Sequence, residues 1–82
     1  AAESLMTAVD PQLFERLRKL RRDLAEEEGV APFVIFHDKT LRTIAGHKPM
    51  TIAALLEIPG IGEVKVERYG RKVLEVVSGE RD

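Results

Sequence analysis

The stretch Ile58-Pro59-Gly60-Ile61-Gly62 constrains this chain more than any other. It joins two apolar-patterned segments through a Pro-Gly turn, with a second glycine one residue on. Proline presets the first corner, glycine accepts the backbone conformation that follows, and a new helical pattern begins at Glu63. Such a corner sets two helices at a sharp angle. It also strips side chains from the backbone where the new helix has free amides, so a phosphate can approach them directly.

The rest of the chain reads as helices. Asp10-Pro11 is a start signal, with Asp10 as the cap and Pro11 at the first helical position. Leu13, Leu17, Leu20 and Leu24 recur at spacings of three and four over Pro11 to Glu28, with Phe14 on the flank, and Gly29 ends the helix. Val30 to Phe36 is an apolar connector without a strand partner, read as an irregular or single-turn piece lying across the core. His37 or Asp38 caps a helix over Lys39–Gly46, closed by Gly46 and Pro49. Thr51 caps Ile52–Glu57, with Ile52, Leu55 and Leu56 turned inward. The last helix runs from Glu63 to Val77, with Val66, Tyr69, Gly70, Val73 and Val77 on one face and Gly79 as its stop.

These segments predict an all-α fold: a compact bundle of about five helices with a helix-hairpin-helix-like Pro-Gly-x-Gly turn. Residues 1–9 read as a linker or boundary segment, 10–79 as the helical domain and 80–82 as a tail. At 82 residues and 44% hydrophobic, the chain is one small domain with an efficient core. It has no cysteine and no apolar run long enough to span a membrane. Its formal charge of −1 argues against tight autonomous binding to nucleic acid, which a clearly basic domain would favour.

Three segments, in order and at the right spacing, resemble the helicase-and-RNase-D C-terminal (HRDC) domain. They are Leu13-Phe14-Glu15-Arg16-Leu17-Arg18-Lys19-Leu20-Arg21, Val30 through Leu41, and Ile58-Pro59-Gly60-Ile61-Gly62 with Lys65 to Gly70 behind it. The match spans about Pro11 to Ser78 and is most like RecQ-type DNA helicases, with RNase D homologues next. The resemblance implies an accessory module with no catalysis or cofactor of its own, attached to an ATP-dependent motor. It implies contact with single-stranded or branched DNA and with other domains of the parent helicase; the near-zero net charge makes the expected DNA contact weak. A monomer is expected, without membrane association, in the bacterial cytoplasm at the nucleoid or in a eukaryotic nucleus.

On that reading the candidate nucleic-acid residues are Lys65, Arg68, Arg71, Lys72, Arg18, Arg22, Phe33, Gly60 and Gly62. Lys65, Arg68 and Lys72 form one basic stripe behind the hairpin, and Arg71 on the neighbouring line is placed to pair with Glu67. Phe33 occupies the connector position where the family often exposes an aromatic ring, fit to stack on an unpaired base. Each residue also has a plain structural reading: a glycine-enforced corner, a solvated polar face, a core phenylalanine. Glu63, directly after Gly62, opposes an anion and favours the helix start instead. Tyr69 is expected in the core with its hydroxyl at the rim. His37 and His47 suit helix ends, and no metal set is present.

The first helix is basic in its first half (Arg16, Arg18, Lys19, Arg21, Arg22) and acidic in its second (Asp23, Glu26, Glu27, Glu28). This order runs against the helix dipole, so the charges serve a surface field or a partner. Asp23, Glu26, Glu27 and Glu28 therefore define the alternative, a docking surface for another domain or protein. An accessory RNA-binding role beside an RNase D-like exonuclease is the third reading.

Overall fold

The structure, a computed structural model, describes residues 9–80. The expected leading linker, apart from Val9, and the last two residues of the expected tail lie outside the described residues. Among the latter there are five helices and no strand: α1 Pro11–Glu28, α2 Pro32–Ile35, α3 Asp38–His47, α4 Ile52–Leu56 and α5 Glu63–Ser78.

α1 begins as its sequence dictates. Asp10 Oδ1 accepts the amides of Gln12 and Leu13 at 3.0 and 3.1 Å, and Pro11 fills the first position. Its four leucines are buried and form the spine of the core. α2, α3 and α5 all pack on this helix, while α4 packs on α5. Ile35 and Phe36 enter from the connector, Leu41, Ile44 and Ala45 from α3, and Tyr69, Val73 and Val76 from α5. α4 lies close to α5 over Gly70, where an added Cβ would stand 3.4 Å from Ile52.

The Pro-Gly corner forms a hydrogen-bonded turn, Ile61 N–H donating to Ile58 O at 3.1 Å. Gly60 has φ +91°, the value a type II turn requires after proline. Ile58 and Ile61 on either side of it are buried, so the turn pins both helices to the core.

Several expectations about helix ends and burial differ from the structure. Lys48 ends α3, not Gly46; it adopts φ +51° while its N–H donates to Ile44 O at 2.8 Å. Its ammonium lies 3.5 Å from the Asp10 carboxylate, tying the end of α3 to the start of α1. In α4 only Leu55 is buried; Ile52 and Leu56 are exposed, because a helix of five residues turns only one position fully inward. On α5 the buried face is Tyr69, Gly70, Val73 and Val76, with Val66 and Val77 at its margin. Arg21, grouped with the surface cations of α1, is buried.

Candidate nucleic-acid interface

The basic stripe of α5 lies along the seam with α1, where it meets the acidic end of that helix. Arg68 Nη2 donates to Glu28 Oε1 at 2.9 Å, and the Tyr69 hydroxyl donates to Glu28 Oε2 at 2.6 Å. Burial, and then the bond to Glu28, push the Tyr69 phenol above its ordinary pKa. Lys72 Nζ stands 4.0 Å from Glu27. Lys65 Nζ lies 5.5 Å from the centre of the Phe36 ring, within cation–π range. The unfavourable order of charges along α1 is thereby explained: its last-turn carboxylates serve tertiary pairs with α5. Arg71 is exposed and forms no ion pair with Glu67.

The basic half of α1 is arranged differently. Arg18, Lys19, Arg21 and Arg22 line one open groove of about 360 Å³ together with Glu15 and Pro32, at the first residue of α2. Arg18 pairs with Glu15 at 3.1 Å yet keeps half of its side chain exposed, and Arg22 is exposed. Arg21 reaches through the protein: its Nη1 donates to Phe36 O at 3.0 Å and to Asp38 Oδ1 at 2.7 Å. That hydrogen bond first, and the guanidinium charge second, hold the Asp38 carboxyl below its usual value, with Arg42 and Arg18 adding to the same field.

Arg21 thus clasps the corner between α2 and α3, the corner that presents Phe33. The ring of Phe33 is 61% exposed, while Ile35 and Phe36 are buried; the single turn of α2 divides the apolar run between core and solvent. His37 lies four residues after Phe33, past the end of α2 in extended backbone, its ring 6.3 Å away and inclined by 24°.

The structure therefore gathers Arg18 and Arg22 in a groove that reaches Pro32, next in the chain to the exposed Phe33. It sets Arg68 and Lys72 against Glu28 and Glu27, and Lys65 over the Phe36 ring. Gly60 is fixed by packing, since a Cβ there would lie 2.6 Å from Thr40 Oγ1, whereas Gly62 is open and starts α5 without a side-chain cap. The acidic cluster divides as well: Glu27 and Glu28 bind α5, and Asp23 and Glu26 face solvent. Sequence reasoning missed the clasp of Arg21, the ring of His37 and the proximity of Arg42. None of them was signalled by spacing: Phe36 and His37 are extended beyond α2, so the approach of the His37 ring to Phe33 depends on the corner and not on helical periodicity.

A model of the HRDC domain family matches residues 10–77. The chain is 47% identical over 66 residues to the ATP-dependent DNA helicase RecQ of Bacillus subtilis, covering 80% of this chain and 11% of that protein. It is 43% identical over 77 residues to the ATP-dependent DNA helicase UvrD2 of Mycobacterium tuberculosis, covering 94% of this chain and 11% of that protein. Among solved structures it resembles D. radiodurans RecQ HRDC domain 3, with a TM-score of 0.80, 43% identity and coverage of 83% of this chain and 90% of that one. The chain thus spans about a tenth of the length of the curated helicases it matches. With a bundle built on the buried α1 stripe, a Pro-Gly corner before α5 and this degree of similarity, the chain belongs to the HRDC domain family.

Proposed function

We propose that this chain is an accessory nucleic-acid-binding domain of an ATP-dependent DNA helicase, and that it binds single-stranded or branched DNA weakly. The observation that carries the reading is the corner between α2 and α3. There the groove of Arg18, Lys19 and Arg22 reaches Pro32, the residue before the exposed Phe33. Cations supply phosphate contacts and an open ring supplies a stacking face, the combination that single strands require. Arg68, Arg71 and Lys72 of α5 form a second, weaker flank, because Glu28 and Glu27 compete for two of them. No catalytic step is assigned to the domain; the motor belongs to the parent protein. The helicase relatives favour this parent over an RNase D-like exonuclease.

Titration of a labelled single-stranded oligonucleotide at several salt concentrations tests the proposal. With about three to five phosphate contacts, log K should fall against log salt with a slope near −2 to −4. Absence of binding at low salt, or binding indifferent to salt, would overturn it. The docking alternative rests on Asp23 and Glu26, the two exposed members of the acidic cluster that do not pair with a cation of α5. Reversing their charge should abolish docking to the parent helicase if they form the contact; on the DNA reading it should only strengthen oligonucleotide binding modestly.

A further inference from the structure

We propose that His37 is the second ring of a two-ring platform with Phe33, and that the platform stacks an unpaired nucleobase. The inference deepens the function proposed above and rests on it. Phe33 and His37 are both exposed and sit four positions apart, across the end of the single turn of α2. Their ring planes are within 24° of parallel, but the centroids are 6.3 Å apart. Full face contact brings carbon atoms to about 3.5–4.0 Å. The pair is therefore near-parallel without covering itself, and ring faces remain open to a third planar group. A nucleobase is such a group, and aromatic rings accept any base because every base has a π face. A paired base offers no face to such a platform, so it selects single strands.

His37 has no competing structural duty. It occupies the position before α3, yet its side chain makes no capping hydrogen bond there. The corner is held instead by Arg21, whose guanidinium binds the Phe36 carbonyl and the Asp38 carboxylate on either side of His37. This clasp fixes the backbone carrying both rings before any ligand arrives, which lowers the ordering cost of stacking.

The test is fluorescence anisotropy with a short labelled oligothymidylate and an abasic strand of the same length. The proteins are the full chain and the variants His37→Ala, His37→Phe and Phe33→Ala. His37→Ala should weaken binding to oligothymidylate about fivefold or more, the low end of the range for losing a stacking partner. His37→Phe should restore it, and on the abasic strand His37→Ala should bind like the parent chain. Thermal unfolding of all three variants should match the parent chain. The inference falls if His37→Ala binds oligothymidylate undiminished while Phe33→Ala does not, which leaves the DNA-binding reading standing. It falls too if the loss is equal on the abasic strand, which would place the imidazole on a phosphate. A parent chain that binds neither strand overturns both the function proposed above and this inference.

Discussion

Arg68 and Glu28 meet across the seam between α5 and α1 at 2.9 Å, and the second oxygen of the same carboxylate receives the Tyr69 hydroxyl. One side chain at the end of α1 therefore satisfies a surface guanidinium and a buried phenol together. Glu28→Ala should cost about 1–3 kcal/mol, since it leaves the Tyr69 hydroxyl without its acceptor. Glu28→Gln keeps an acceptor for the phenol and removes only a partly exposed ion pair, so it should cost about 1 kcal/mol or less. Urea denaturation of the two variants, with Tyr69→Phe completing the cycle, measures the difference.

The same pair sets the availability of α5 for phosphate. Glu28→Gln should strengthen binding to a single-stranded oligonucleotide several-fold at low salt by releasing Arg68. Adding Arg68→Ala to that variant should return affinity to or below its starting value. Anisotropy titrations of both variants decide whether Arg68 is the group released.

Asp38 gives the fold an acid-side limit. Arg21 lowers its carboxyl in the folded chain below the ordinary value of 3.8, so the clasp contributes fully above that value and is lost as pH falls through the folded one. Asp10 acts in the same direction, chiefly through the Leu13 amide. Denaturation midpoints measured from about pH 6 down to pH 3 should fall for the parent chain. The fall should be shallower in Asp38→Asn.

The two glycines of the hairpin should respond in opposite senses. Gly60→Ala combines a φ of +91° with a clash against Thr40 Oγ1, and should cost about 1–3 kcal/mol. Gly62 is extended, at φ −104° and ψ −179°, with nothing near its missing side chain. Gly62→Ser supplies the absent cap and should stabilise α5 by about a few tenths of a kcal/mol. Thermal melts of the two variants should shift in opposite directions.

Phe33 and Phe36 should separate binding from folding. Phe36→Ala empties a core site where the ring meets Tyr69 edge-on at 5.6 Å, and should cost about 3–5 kcal/mol. Phe33→Ala should leave stability within about 0.5 kcal/mol while weakening single-strand binding by about 1–3 kcal/mol. Parallel denaturation and titration of the two variants check both statements.

The bundle was legible because its determinants are local. The leucine repeat of α1, the Asp10-Pro11 start and the Pro-Gly corner each act within a turn or two of chain. What stayed hidden depends on which helices become neighbours. Nothing in the order of residues tells that Glu28 will meet Arg68, or that Arg21 will leave the surface to reach Asp38. Pattern alone therefore puts the cations of α1 and α5 in one candidate set where folding makes two environments. The exposure of Phe33 was open for a related reason: a run of apolar residues does not reveal its own inward face until α2 sets the phase.

Along the α1–α5 seam, a phosphate that takes Arg68 or Lys72 competes with a resident carboxylate. Cations freed from the nucleic acid are then partly recaptured by Glu28 or Glu27. On the proposed function the seam would act as an ion exchanger, and its attraction for DNA should fade slowly as salt rises. Contacts made by Arg22 have no such compensation and should fade steeply. On that reading, ionic strength should select which flank of the domain holds the strand.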